Sequence, residues 1–341
     1  MASATLTNAF LLNKEIVMVG KVTNDVLPSG SRLPGIFGVS PFKTPNDELA
    51  YSLNALQGKP RPPFKVEAAD WGNTFEVPII QEAAARIGLP IKELQVDYAL
   101  SYREDGQDIL QVSLDSILEG DGRTLYTDAD AGIYVVDKYP IQLEGPGACE
   151  SKLTSSMPEE TPPEYRGPLQ LQAQMLCAGF KWGVIATLYR GTELRLFFYK
   201  ADQDAQAKII EKCKDFIRRV NEGDWYPAVS PADAVTAYPT TDDTSAPVDL
   251  TGKPEAYSVQ RLADIKEAIA TLEEEKDRLQ SQIMDRMAMS EKAYIKNKDG
   301  SIAWEVKWAM RNYRAQPEKI TPAKPARIER SKTLTLTEGR T

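Results

Sequence analysis

Gly147-Ala148-Cys149-Glu150-Ser151-Lys152-Leu153-Thr154 decides how this chain is read. As a strand it projects Glu150 and Lys152 from one face, because side chains alternate with period two. An earlier stretch, Ser113-Leu114-Asp115-Ser116-Ile117-Leu118, sets a second carboxylate among apolar and hydroxyl residues. A carboxylate there is costly to bury unless a cation meets it. Two carboxylates converging on one point raise each other's pKa unless a divalent ion is bound. The expectation is therefore Mg²⁺, a hard cation that takes oxygen ligands, with Mn²⁺ as a substitute. Lys152 would orient and help deprotonate a water, or neutralise charge in the transition state. Such a set suits metal-assisted phosphodiester hydrolysis. The competing reading is a solvated strand face, since Glu-x-Lys is common on exposed strands.

Three more segments frame this pair. Ser31-Arg32-Leu33-Pro34-Gly35-Ile36-Phe37-Gly38 runs on to Pro45 upstream. Asp70-Trp71-Gly72-Asn73-Thr74-Phe75-Glu76 leads into a helical stretch over 79–87. Pro168-Leu169-Gln170-Leu171-Gln172-Ala173-Gln174-Met175 lies downstream. In this order the five segments resemble the YqaJ-like viral recombinase family, the lambda exonuclease-like branch of the PD-(D/E)xK nucleases. The resemblance spans roughly residues 25–225. One departure is plain: Val22-Thr23-Asn24-Asp25-Val26 lacks the arginine that the family often carries ahead of the serine.

The resemblance implies an α/β, restriction-endonuclease-like core: a mixed central sheet flanked by helices. It implies a phage or prophage deoxyribonuclease that digests linear duplex DNA from a 5′ end and leaves 3′ single strands. Asp115, Glu150, Lys152 and Gln170 would be catalytic. Asp115, Glu150, Glu76 and the Ser151 carbonyl would hold metal. Ser31 and Arg32 would meet the terminal phosphate, although turn and surface roles suit them equally. Glu76 also fits as a first-turn acid favoured by the helix dipole. The implied partners are double-stranded DNA ends, further copies of the chain in a ring, and a single-strand annealing protein.

Composition narrows the rivals. Histidine is absent from all 341 residues, so His triads, His zinc sites and HNH-type nucleases are excluded. Cys149, Cys177 and Cys213 lie far apart, too few for an iron–sulfur nuclease and consistent with a reducing cytoplasm of the host cell. Cys149 reads as a small buried strand residue. The net charge of −8 argues against a protein that coats nucleic acid, but a nuclease needs only a local basic groove. Such a region runs from Arg311 to Lys332, as a solvated tail or a phosphate-contacting arm. Ala9-Phe10-Leu11-Leu12 is too short for a membrane span and lacks a basic leader. Two rivals remain: a catalytically silent DNA-end binder on the same fold, and a structural phage protein whose coil drives assembly.

Along the chain, residues 1–226 read as the nuclease domain, 227–256 as a flexible Pro/Thr-rich linker, and 257–341 as a helical segment, a hairpin and the basic tail. Strands are expected over 96–102, 108–118, 133–136 and 148–154, with a turn at Glu104-Asp105-Gly106 and a hairpin around Arg190-Gly191. Pro78 is expected in the first turn of a helix ending at Ala85. Helices are expected from Pro168 to Ala178, stopped by Gly179, and from Asp202 to Val220 with Ile210, Cys213, Ile217 and Val220 on one stripe. Leu262, Ile265, Ile269, Leu272, Leu279 and Ile283 fit heptad a and d positions, interrupted by Lys276. A helix packed on its own domain and an intermolecular coil fit them equally. Asp299-Gly300 closes a hairpin whose Trp304 and Trp308 are expected to pack on the helix.

Overall fold

The computed structural model describes residues 22–59, 67–241 and 246–310. The chain divides into two compact units, Met1–Pro239 and Thr240–Thr341. The basic segment from Arg311 and the apolar run at residues 9–12 lie outside the described residues.

The first unit carries helices α1 Leu33–Ile36, α2 Pro45–Leu56, α3 Glu67–Ile87, α4 Pro168–Ala178, α5 Gln203–Glu222 and α6 Pro231–Ala237. Its strands are β1 Ile91–Leu94, β2 Leu100–Glu104, β3 Gln107–Val112, β4 Ser116–Glu119, β5 Thr124–Leu125, β6 Ile133–Val135, β7 Ile141–Gln142, β8 Pro146–Thr154, β9 Trp182–Tyr189 and β10 Glu193–Lys200. Six of them form one mixed sheet in the order β1-β4-β8-β9-β10-β6. β8 pairs parallel with β9, and β10 parallel with β6; the other pairs in the sheet are antiparallel.

The sheet is covered on both faces, which is why β9 reads as a nearly continuous apolar run. On one face Ile79, Ile80, Ala83 and Ile87 of α3 pack on Cys149, Trp182, Val184, Ala186 and Phe198. On the other, Leu171 and Met175 of α4 meet Ala148, Ile185, Tyr189 and Phe197. Gly147 makes room for the first layer: a Cβ there would sit 2.4 Å from the Trp182 indole. Beyond α4, the β2–β3 hairpin and α5 add a third cluster, in which Ala173 meets Leu110, Ile209 and Cys213. α4 is thus buried between two layers. This explains its apolar character and obliges its glutamines to find partners.

Several elements differ from the sequence reading. The single strand expected over 108–118 is two strands in different sheets: β3 pairs with β2, and β4 pairs with β1 and β8. Asp115 therefore stands in the crossing between them, not within a strand. The strand expected over 96–102 starts only at Leu100, and β1 was not anticipated. Pro78 lies inside α3, which begins at Glu67. It forfeits one backbone bond there, and Glu76 sits in mid-helix instead of at a start. Cys213 and Val220 of the expected α5 stripe are buried, together with Ile209 and Phe216, while Ile217 packs partly buried against the cluster of Ile209 and Cys213 and Ile210 is half-buried.

Within the expected linker, α6 is ordered by polar bonds to α2. Asn46 Nδ2 donates to Asp233 Oδ2 (3.1 Å) and to the Tyr226 carbonyl (3.0 Å), and Ser230 caps α6 by accepting from the Asp233 N–H.

The second unit holds one long helix, α7 Pro254–Met287, and a hairpin of β11 Lys292–Lys296 and β12 Ile302–Lys307. Asn297 N–H donates to the Ser301 carbonyl (2.8 Å) across the hairpin loop, and Gly300 takes φ 86° there. Met287 is the only buried residue among those described in this unit. Trp304 and Trp308, expected to pack away, are 70% and 44% exposed. Among the described residues no helix is long and apolar enough to cross a membrane.

Candidate active site

The site forms where two paired strands part. β4 and β8 run antiparallel with Ser116 opposite Cys149. Continuing that register by one residue sets Asp115 across from Glu150, just before β4 begins. From Glu150 onward β8 keeps its β9 neighbour but has lost β4. Asp115 fills the gap: its Oδ2 accepts the Ser151 backbone N–H at 2.8 Å.

Glu150 and Lys152 do share a face, with Lys152 Nζ 2.5 Å from Glu150 Oε1. That face is the one α4 covers. Gln170 Oε1 accepts from Lys152 Nζ at 3.2 Å. One turn later, Gln174 Nε2 donates to Glu150 Oε2 (2.6 Å) and to the Ser113 carbonyl (2.9 Å). Both oxygens of the buried Glu150 are engaged, and its position is set from two sides. The i, i+4 pairing of Gln170 and Gln174 was legible in sequence; the grip of Gln174 on Glu150 was not.

The electrostatics are those of a crowded acid cluster. Burial, then the charges of Glu150 and Glu76, hold Asp115 well above the usual carboxylate range. Burial and Glu150 also raise Glu76, partly offset by a hydrogen bond from Gln95 and by the Lys152 charge. Burial alone would lower Lys152, but Glu150, Asp115 and Glu76 together outweigh it and raise the lysine. Lys152 is thus an ammonium in this arrangement. Cys149, beneath the cluster, has its thiol pushed by burial to about 12, so it is not a nucleophile.

Gln95 is a member of the site that sequence reading missed. It takes φ 53° in the turn after β1, a left-handed conformation that is unfavourable for a non-glycine residue. Its N–H donates to the Asp115 carbonyl at 2.8 Å. No composition or periodicity signal marks such a residue.

The two residues proposed for the phosphate part company. Ser31 is exposed in a short 3₁₀ turn, Gly30–Arg32, that lies against α4. A Cβ on Gly30 would come 3.5 Å from Gln170 Cγ, so the turn borders the site. Arg32 is buried instead. Its Nε donates to Glu48 Oε2 (2.6 Å), Nη1 to the Asp25 and Leu27 carbonyls, and Nη2 to the Glu48 carbonyl and Ser52 Oγ. A guanidinium has five N–H donors, and all five are used within the fold. Arg32 therefore anchors α2 to the chain before α1 and has no donor left for a phosphate.

A divalent ion fits the donor set. Asp115, raised by burial and by the neighbouring Glu150 and Glu76 charges, and a buried Gln174 Oε1 without a partner are what a hard cation and its waters would satisfy. Among the described residues no group of three or more His, Cys, Asp or Glu side chains could hold a metal ion as they stand. The protein's share of the ligands would be Asp115 and Glu150, with water for the rest, as Mg²⁺ allows.

No family model matches this chain, and no curated protein matches it. Solved structures do. An alkaline exonuclease from Laribacter hongkongensis (LHK-Exo), in complex with dAMP, is 16% identical with a TM-score of 0.42. The match covers 59% of this chain and 90% of that one. A second structure of the same exonuclease gives 15%, 0.42 and the same coverage. A protein named SSO0001 gives 14% and 0.33, covering 58% of this chain and 77% of that one.

Proposed function

We propose that this chain is a metal-dependent DNA exonuclease of the phage recombination type. The observation that carries the reading is the cluster itself: Asp115 bound to the Ser151 N–H, and Glu150 paired with Lys152, at the point where β4 leaves β8. Asp115, Glu150 and the Ser151 carbonyl would hold Mg²⁺ or Mn²⁺, with Glu76 serving a second ion. When bound, the ion would stabilise charge on the scissile phosphate and lower the pKa of a coordinated water.

The chain's own residues do the rest. Lys152, held by Glu150 and Gln170, points its ammonium at the attacking water and the phosphate oxygens. Gln174 fixes the free rotation of Glu150 by gripping Oε2. Ser31, next to Gly30 in the turn that borders Gln170, would donate to a terminal 5′ phosphate in this reading. Linear duplex DNA is the substrate in this reading, degraded from the 5′ end to leave a 3′ strand for an annealing protein. The working form is a ring of copies.

The test is a gel assay on linear duplex with 5′-phosphate or 5′-hydroxyl ends, in Mg²⁺ or EDTA. Digestion in Mg²⁺ alone, faster from the phosphorylated end, is expected. Tight binding to ends without digestion would instead identify a catalytically silent end-binding protein.

A further inference from the structure

α7 spans 34 residues, a rod about 51 Å long at 1.5 Å per residue. Ile265, Ile269, Leu272, Leu279 and Ile283 form a seam along it, exposed by between 39% (Ile265) and 63% (Leu272). Soluble proteins rarely leave so long an apolar stripe to water. Nor do the described residues of the second unit supply a core, since a helix and a two-stranded hairpin with one buried residue do not sustain themselves.

We propose that this seam is covered by α7 of a second copy of the chain, in a parallel two-stranded coiled coil. The inference is independent of the nuclease reading. Leu262, Ile269, Lys276 and Ile283 fall at a; Ile265, Leu272 and Leu279 fall at d. β-branched residues at a with leucine at d favour two parallel strands. A single polar residue at a sets register and copy number, and Lys276 is that residue. In the single chain it pairs only loosely, 3.7 Å from the exposed Asp277. In a parallel pair it lies beside Glu275 of the other copy, at the preceding g position. An antiparallel pair centred on the same seam would set Glu273 and Glu275 each against its own counterpart, and Lys276 against Leu272. Arg261 at g and Lys266 at e carry like charges where they meet, so the firm part of the coil runs from Ile269 to Ile283.

The experiment uses the full chain in sedimentation equilibrium. Leu272→Glu combined with Leu279→Glu should raise the dissociation constant for self-association at least tenfold. Both positions are exposed in the single chain and glutamate is a good helix former, so the fold should persist by circular dichroism. Lys276→Ile should tighten association. Leu272→Cys should cross-link to its counterpart under mild oxidation, because d residues face themselves in parallel register; the wild type, with Cys149 and Cys213 buried and Cys177 half-buried, is the control. Association unchanged in the double glutamate variant would overturn the proposal and assign the seam to the chain's own first unit or to another protein. So would failure of Leu272→Cys to cross-link.

Discussion

Glu150 and Ile269 make an instructive pair. Glu150 is a charged residue that the fold buries to 2% exposure, with both oxygens bonded. Ile269 is an apolar residue left half-exposed. Each inverts the ordinary preference of its side chain. In the first unit the inversion is compensated within the chain, by Lys152, Gln174 and the layers of α3 and α4. In the second nothing described within the unit compensates it. A buried, compensated charge points to chemistry, and an uncompensated apolar face points to a partner.

The largest expected effect lies on the charged side of this contrast. Asp115→Ala and Glu150→Ala should each reduce Mg²⁺-dependent digestion of linear duplex to background, read on gels, while the protein still binds DNA. Activity within tenfold of wild type in either would break the assignment.

Lys152→Arg comes next. It keeps the charge but not the shape, and a guanidinium does not readily release a proton. A loss of about a hundredfold or more in turnover is expected, within the range for a general acid–base group. Near-normal turnover would reduce Lys152 to a charge that only pairs with Glu150.

Gln174→Leu keeps the volume and removes both donated bonds. A supporting residue that orients a metal ligand costs about 10- to 100-fold. The loss should appear as a higher Mg²⁺ requirement, measured by titrating cleavage against ion concentration. An unchanged ion requirement would make Gln174 a packing residue only.

The smallest pair sharpens the comparison by stability. Leu171→Ala, in the core between β8 and α4, should cost about 2–5 kcal/mol in denaturant unfolding. Leu272→Ala, measured at a concentration dilute enough for the chain to be a single copy, should leave that same transition within about 0.5 kcal/mol, as exposed substitutions do. Equal costs would mean that the seam is packed against the first unit.

The legible parts of the fold were those written locally. β8, α4 and the β9–β10 hairpin follow from apolar runs and from Pro168, Gly179 and Arg190-Gly191 as punctuation. The helix expected from Asp202 begins at Gln203, and Asp202 is its N-cap, with its carboxylate accepting from Asp204 and Ala205 N–H. Asp115, Glu150, Lys152 and Gln170 were named from sequence, and the fold brings them together.

What could not be read depended on distant partners. The stretch from 108 to 118 looks like one strand because its break is a change of sheet, not a change of residue type. Pro78 looked like a helix start because nothing local tells an internal proline from a first-turn one. Arg32 looked like a surface cation in a Gly-Ser-Arg turn, while three of its five acceptors sit on α2, at Glu48 and Ser52. Gln95 carries no pattern at all.

The central claim is that Asp115 is an acid held in the fold for an ion. Thermal melting of the wild type and Asp115→Asn, with and without Mg²⁺, tests it most directly. The pKa of Asp115 is raised in the fold, so its ionised form opposes folding. Its favourable share is complete below the ordinary carboxylate pKa and is lost as pH rises through the raised value. At pH 8 without Mg²⁺, Asp115→Asn should therefore melt higher than wild type, and the gap should close as pH falls toward 4. Adding Mg²⁺ should raise the wild-type melting temperature, because the ion binds the folded form, and should leave Asp115→Asn unchanged. Equal Mg²⁺ shifts in both proteins, or a variant that melts lower than wild type at pH 8, would contradict the account.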